Sequence, residues 1–195
     1  MRDREEGQHG HGMQTADPES LARRAAARDE AVWALVFEGH YRSVFAFVRS
    51  RLGNPDVAED IASQVFEIAF SRAESFDYRG VPIEGWLFGI ARNLVRDHIK
   101  KLVRRGPEAE LVEAATPAES DQTTTIDLRQ DLSQAMQGLT EDQQTVLNLR
   151  FLLDKSVEDT ARLMERSEDA VKNLQRRALS AMQRQLVATG YQEDG

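Results

Sequence analysis

A chain of 195 residues with a net charge of −8 is long enough for one or two domains. No apolar run approaches the roughly 18 residues that a membrane helix needs, and the polar N-terminus lacks the apolar centre of a secretory signal. The absence of cysteine excludes disulfides, cysteine-bound zinc and thiol redox switches. These features predict a cytoplasmic protein that has no membrane partner.

Residues 1–30 are predicted to form a disordered N-terminal tail, most clearly over about 1–20, where apolar residues are scarce and Gly, His and charge abound, while 21–29 is a candidate helix start. The tail contains His9 and His11 in the run GQHGHG. Two histidines without a fixed third ligand are weak evidence for a metal site, and a solvated tail explains them better. No metal or cofactor is therefore predicted.

Two amphipathic helices are predicted next, over 31–52 and from 56 to about 72. Gly39 is a candidate break or bend in the first, the run Gly53-Asn54-Pro55 ends it, and Asp56 is the predicted cap of the second. One side of the second helix repeats apolar residues. Its other side carries a polar set that is either a solvated face or a contact surface: Glu59, Asp60, Gln64 and Glu67.

A third long helix is predicted from Pro82 to about residue 103. Its polar side is strongly basic and carries Arg92, Asn93, Arg96, His98, Lys100, Lys101, Arg104 and Arg105. Trp86 and Phe88 stand near its start, and basic residues beside aromatic rings suit single-stranded nucleic acid. Phe88 is better explained as a core residue, whereas for Trp86 core packing and base stacking are equally supported.

Residues 106–125 are predicted to form a flexible acidic linker, because Pro, Ala, Thr and acidic residues leave little to bury. Helices resume over 126–188, including one over 141–153 that Thr140 caps with capping-box spacing, and 189–195 form a tail. No convincing strand alternation occurs. The prediction is an all-α chain of two small helical domains, 31–105 and 126–188, joined by the linker.

The stretch 156–186 has the spacing of a helix-turn-helix, with Ser156 and Ser167 as candidate caps. The turn contains Glu165 instead of Gly, at a cost of about 1 kcal/mol if that residue is left-handed. Such a unit lays its second helix in the major groove. The polar face of that helix carries Lys172, Asn173, Gln175, Arg176 and Arg177, although a helical hairpin with a solvated face explains the pattern too.

Three motifs in this order resemble the extracytoplasmic-function (ECF) sigma factors, the compact two-domain members of the bacterial sigma-70 family. DVAEDIASQVFEIAF (56–70) is similar to the polymerase-binding helix, and IEGWLFGIARNLVRDHIKK (83–101) to the promoter-melting segment. LTEDQQTVLNLRFLLDKSVEDTARLMERSEDAVKNLQRRAL (139–179) resembles the C-terminal DNA-binding region. The resemblance implies a sigma factor rather than an enzyme, with sigma region 2 over 31–105 and region 4 over 126–188.

Residue roles follow from this resemblance. It implies that Glu59, Asp60, Gln64 and Glu67 bind core RNA polymerase. For the −10 element it implies Asn93 as the reader of a flipped base, Trp86 on the same helix, and Arg92, Arg96, Lys100 and Lys101 on phosphates. For the −35 duplex it implies Lys172, Asn173, Arg176 and Arg177, with Gln175 as a weaker candidate. The acidic linker would thread the polymerase channels and oppose DNA binding by the free protein.

Promoter DNA and core RNA polymerase are thus the expected partners, and an anti-sigma factor is an open candidate. One alternative is a stand-alone helix-turn-helix regulator, which leaves the segments 56–70 and 83–101 without a role. A helical adaptor or anti-sigma-type interaction protein is another. An enzyme is the weakest interpretation, because Asp97 and His98 are helix neighbours that cannot face one site together.

Overall fold

The computed structural model describes residues 17–78, 81–105, 132 and 134–188, and throughout these ranges the ordered elements are helical. The all-α prediction is therefore confirmed. The predicted linker 106–125, both histidines of the N-terminal run and the tail 189–195 lie outside the described residues. Within the described helices, none combines the length and apolarity needed to cross a membrane.

The N-terminal helical unit consists of α1 (Pro18–Ala26), α2 (Glu30–Leu52), α3 (Pro55–Ser71), a 3₁₀ turn (Ala73–Ser75) and α4 (Ile83–Arg105). Helix α1 lies within the predicted disordered tail, and it is ordered there because Ala22 and Ala25 are buried in the core. Helix α2 runs unbroken through Gly39, so of the two predicted effects of that residue, a break or a bend, the break is wrong. It ends at Gly53, whose φ of 77° is readily adopted only without a side chain.

The cap of α3 differs from the prediction. The Asn54 side chain accepts hydrogen bonds from the backbone N–H groups of Asp56 and Val57, at 2.9 and 3.2 Å. Asn54 is therefore the N-cap, Pro55 opens the helix, and Asp56 lies in the first turn rather than at the cap. The carboxylate of Asp56 still lies at the positive end of the helix dipole, where acidic residues stabilise a helix.

The core of this unit lies between α2, α3 and α4. Phe47, Val65 and Leu87 are fully buried, one from each helix. Phe47 meets Phe88 edge to face, with ring centroids 5.3 Å apart. Phe88 is only 2% exposed, which confirms it as a core residue. Burial of a side chain of this size contributes about 1.5–3 kcal/mol, so these contacts fix how the three helices pack.

The C-terminal unit contains α5 (Glu141–Leu147), a π-helical turn (Asn148–Leu152), α6 (Val157–Met164) and α7 (Glu168–Ala188). The predicted helix over 141–153 thus changes to π geometry in its second half. Thr140 and Gln143 form the predicted capping box at the start of α5, with hydrogen bonds of 3.4 and 3.0 Å. Val146, Leu149 and Val171 are among the most deeply buried residues of this unit.

The two helical units pack against each other at the N-terminal end of α4. Gly85 approaches α6 so closely that an added Cβ would lie 3.6 Å from the Leu163 Cα. Nearby, the Lys155 Nζ lies 2.7 Å from the Glu84 Oε1. Buried residues of both units form one continuous apolar cluster. The described chain therefore folds as two helical units in direct contact.

Candidate nucleic-acid interface

A helix-turn-helix is formed by α6 and α7, as the spacing predicted. The Ser156 Oγ accepts from the Asp159 backbone N–H at 2.9 Å, and the Ser167 Oγ accepts from that of Ala170 at 3.2 Å. Glu165 occupies the turn in the left-handed region, with φ 53° and ψ 45°. Both predicted caps and the left-handed turn residue are therefore present.

The second helix of this motif presents its polar face to solvent. Val171, Leu174 and Ala178 bury the opposite side against the unit. Four of the five predicted DNA-facing residues are exposed and the fifth is half-buried: Lys172, Asn173, Arg176 and Arg177, then Gln175. The structure thus gathers all five along one helix, and only Gln175 is partly covered by the described chain.

Two side chains on this face are held by specific partners. The Lys172 Nζ lies 3.5 Å from the Glu168 Oε2 and 3.7 Å from the Asp169 Oδ1, in the first turn of α7. The Arg150 Nε donates to the Gln175 Oε1 at 3.2 Å. Arg150 and Gln175 also line a groove of about 410 Å³ beside α7. Arg150 was not among the residues selected from the sequence, because its helix has an apolar pattern.

Helix α4 carries the second group of predicted DNA contacts. Trp86, Asn93 and Lys100 are spaced by seven residues, or about two turns, so they lie on one stripe. Asn93, Arg96, Lys100 and Lys101 are exposed, and Arg92 is half-buried. The structure therefore brings Trp86, Asn93 and the basic side chains to one elongated surface.

Trp86 is partly packed in the core and partly exposed. Its ring stacks on Phe76, with centroids 5.0 Å apart and an interplanar angle of 24°. It packs against the core yet remains half-exposed. Phe76 was not selected from the sequence, since nothing in the turn 75–81 marks it as a partner of α4. The stacking on Phe76 therefore orients the indole while part of the side chain stays accessible.

Both helices with predicted DNA contacts, α4 and α7, repeat one side-chain pairing. On α4 the Arg96 Nη2 donates to the Asn93 Oδ1 at 2.8 Å, and on α7 the Arg176 Nη2 donates to the Asn173 Oδ1 at 3.3 Å. A guanidinium has donors only, so each amide must turn its oxygen to the arginine. The amide NH₂ group of each asparagine is then the part left for an outside acceptor.

The predicted polymerase-facing residues lie on α3. Glu59, Asp60, Gln64 and Glu67 are all exposed, whereas Ile61, Val65 and Ala69 are buried on the opposite side. The stripe continues to Phe70, a ring that is 42% exposed and meets Trp33 edge to face at 5.4 Å. The sequence pattern placed Phe70 in the motif but gave no sign that it faces solvent.

A titratable group is buried beside α4. The pKa of His40 is lowered because burial disfavours the charged imidazolium, although the carboxylate of Glu84 acts in the opposite direction. The two groups are 3.9 Å apart, between the His40 Nδ1 and the Glu84 Oε1. Within the described residues, no three His, Asp or Glu side chains are grouped so that they could hold a metal ion.

A helical chain that exposes a basic helix in one unit and a helix-turn-helix in the other is a two-part DNA-binding protein. Comparison with known families identifies its class. Residues 36–105 match the model of Sigma-70 region 2, and residues 129–182 match Sigma-70, region 4. The chain is 32% identical to the ECF RNA polymerase sigma factor BldN of Streptomyces coelicolor, over 90% of this chain and 70% of that protein.

Other relatives agree with this assignment. The chain is 26% identical to the ECF RNA polymerase sigma factor SigD of Mycobacterium tuberculosis, over 91% of this chain and 88% of that protein. A solved structure of the sigma factor RpoE with the anti-sigma factor NepR, from Bartonella quintana, matches with a TM-score of 0.54 and 25% identity. It covers 78% of this chain and 95% of that one.

The fold also matches CnrH, solved in complex with the cytosolic domain of CnrY, with a TM-score of 0.61 and 22% identity. That match covers 88% of this chain and 97% of the CnrH chain. The chain belongs to the ECF sigma factors of the sigma-70 family. It is a transcription initiation factor that directs RNA polymerase to promoters.

Proposed function

We propose that α4 reads the −10 element of the promoter and α7 reads its −35 element, while α3 binds core RNA polymerase. The observation that carries this division is that three separate polar faces, one on each helix, are exposed in a chain with regions 2 and 4. A stand-alone operator-binding regulator would use only α7. It would leave the exposed faces of α3 and α4 without a ligand.

For the −10 element, the stripe on α4 offers three kinds of contact. Lys100 and Lys101, with Arg92 and Arg96, supply positive charge for phosphates, which adds salt-dependent affinity without sequence information. Asn93 offers its amide NH₂ group to an acceptor on an unstacked base, because its oxygen is already engaged by Arg96. The exposed part of Trp86 supplies an aromatic surface next to the opened strand.

For the −35 element, α7 enters the major groove with the residues near its N-terminus against the base edges. Asn173 and Arg176 are the best placed to read bases, since both are exposed near the start of the helix. Lys172 and Arg177 flank them and suit phosphates. Gln175 contributes less, because its oxygen accepts a hydrogen bond from Arg150.

Core RNA polymerase is the proposed partner of the acidic and amide face of α3. The four exposed side chains Glu59, Asp60, Gln64 and Glu67 suit a basic or polar partner surface. An anti-sigma factor is a further proposed partner, supported by the complex of RpoE with NepR, since binding of such a protein would control the availability of the sigma factor. The chain would act in the cytoplasm and catalyse no reaction of its own.

The direct test is run-off transcription with core RNA polymerase on a library of promoters. Addition of the protein should produce transcripts that depend on matched −35 and −10 elements, and core enzyme alone should produce none. Co-purification of the protein with core enzyme should accompany this activity. DNA binding without any polymerase-dependent transcription would overturn the proposal in favour of the stand-alone regulator.

A further inference from the structure

One ion pair joins the two helical units. The Lys155 Nζ, in the loop before α6, lies 2.7 Å from the Glu84 Oε1 in the first turn of α4. The two side chains are only 25% and 16% exposed, whereas those of the Arg162–Glu158 pair within α6 are 50% and 70% exposed. Because both side chains are mostly buried, this pair is screened less than a surface pair.

Residues of both helical units lie around this ion pair. Gly85, the residue after Glu84, is buried against α6, and an added Cβ would lie 3.6 Å from both the Cα and the Cδ2 of Leu163. His40 of α2 reaches the same carboxylate, with its Nδ1 3.9 Å from the Glu84 Oε1. Glu84 is therefore the point at which α2, α4 and the second unit meet.

This closed arrangement limits how far apart the two DNA-facing helices can be. Asn93 lies about 12 Å along α4 from Gly85. Asn173 is ten residues after Leu163, so the distance between them is at most about 36 Å, the length of that segment if it were fully extended. Gly85 and Leu163 are in contact, so the distance from Asn93 to Asn173 cannot exceed these two lengths plus one contact distance. Asn93 and Asn173 are therefore less than about 55 Å apart.

The promoter elements are farther apart than that. Positions −35 and −10 are separated by about 25 base pairs, which at about 3.4 Å each gives roughly 85 Å along a straight duplex. The closed protein therefore cannot place Asn93 at one element and Asn173 at the other. Simultaneous recognition requires the two units to separate, which breaks the Glu84–Lys155 contact.

We propose that the Glu84–Lys155 ion pair is an intramolecular latch that holds the free protein closed and prevents it from engaging both promoter elements at once. The latch rests on the proposed function, because closure is inhibitory only if α4 and α7 read the two elements. Beside the ion pair, the His40 Nε2 is buried without a hydrogen-bonding partner among the described protein atoms.

The latch is tested first without polymerase or DNA. The chain contains no cysteine, so spin labels can be attached to cysteines introduced at the exposed positions Glu30 in α2 and Ser180 in α7. Glu84→Gln and Lys155→Met each remove one charge of the latch. In the labelled full chain, each should increase the ratio of long to short distances about tenfold, the effect expected when a hydrogen bond between charged groups is removed.

Two further variants separate the latch from a general change in charge. The exchange Glu84→Lys with Lys155→Glu should restore the short distances. Glu158→Gln removes a carboxylate from α6 that pairs within its own helix with Arg162, and it should leave the distances unchanged. An unchanged distance distribution in Glu84→Gln and Lys155→Met would overturn the proposal, because the closed form would then depend on apolar packing alone.

The inhibitory effect is tested by titrating each variant into run-off transcription with core polymerase. When closure is weakened, the competent fraction rises, so the concentration for half-maximal transcription should fall several-fold at an unchanged maximal rate. If Glu84→Gln and Lys155→Met show longer spin-label distances but need the same concentration as the parent protein, closure does not inhibit transcription. If the parent protein gives no core-dependent transcription, the proposed function fails, while the spin-label distances still decide whether the ion pair closes the chain.

Discussion

Asn93 gives the sharpest test of the −10 assignment, because its removal separates base reading from folding. The side chain is exposed near the middle of α4, and its Oδ1 accepts one hydrogen bond from the Arg96 Nη2 at 2.8 Å. Alanine is a better helix former than asparagine by up to about 0.7 kcal/mol. An exposed side-chain interaction of this kind contributes at most about 1 kcal/mol, so Asn93→Ala should leave the stability of the helix nearly unchanged.

The expected functional loss is larger than any effect on stability. A contact to a base edge contributes about 1–3 kcal/mol of discrimination, which corresponds to roughly 5- to 150-fold. Since the amide oxygen faces Arg96, the substitution removes a hydrogen bond that the NH₂ group donates to a base acceptor. Asn93→Ala should therefore retain polymerase binding but impair promoter opening and relax preference at one −10 position.

Permanganate footprinting on duplex and pre-melted promoters measures both effects. On a template mismatched across the −10 region, much of the opening defect should disappear, because strand separation is already supplied, while base preference stays relaxed. Asp97→Ala is the matched control, one turn further along α4 and also exposed, and it should keep the normal preference. Normal opening together with normal base preference in Asn93→Ala would refute the reasoning.

Three other substitutions or conditions give independent predictions. Asp60→Ala with Gln64→Ala should weaken binding to core polymerase in a competition assay without changing the helical circular dichroism, and undiminished affinity would contradict the α3 assignment. Arg176→Ala should cost about 1–3 kcal/mol of binding free energy at one −35 position if Arg176 reads a base. Lys172→Ala should instead weaken binding to all sequences evenly and reduce the dependence of affinity on salt concentration if Lys172 contacts phosphate. Unchanged promoter output from both variants would exclude the groove assignment. Because burial lowers the pKa of His40 from its usual 6.5, the unfolded chain binds this proton more readily, so stability should fall as pH drops below about 6.5 towards the lowered value. Denaturant unfolding between pH 5.5 and 7.5 measures this, and His40→Gln should flatten the slope; an equal slope in both proteins would show that other groups cause it.

The elements of this fold were largely predictable because local chemistry determines them. Thr140, Ser156 and Ser167 cap helices where the sequence spacing indicated, since each hydroxyl needs only a backbone N–H within three residues. Apolar periodicity likewise identified the buried sides of α3 and α7. The cap at Asn54 was assigned to Asp56 instead, because both residue types cap helices and flank Pro55, and sequence alone does not separate them.

The candidate site was predictable only in part, for a related reason. Helical spacing sufficed to place Asn93 and Lys100 on one face, because a single helix fixes their relation. Partners on other elements were not predictable. Phe76 stacks on Trp86 from a turn before α4, and Arg150 reaches Gln175 from the π-helical turn. Neither residue carries a local sequence signal, since its role exists only after the helices have packed.

The contact between the two helical units shows this limit most clearly. In the sequence, Glu84 is an acidic residue in the first turn of a helix, which the dipole alone explains, and Lys155 is a loop lysine beside a cap. Gly85 is a poor helix former, and the sequence alone does not show that it lies between Val81, whose Cγ1 would be 2.6 Å from an added Cβ, and Leu163 of α6. Only the packed structure shows that all three residues serve one interface. Because that interface joins the units that carry the two proposed DNA-reading helices, the proposed latch would make the same few side chains determine when both helices can be used.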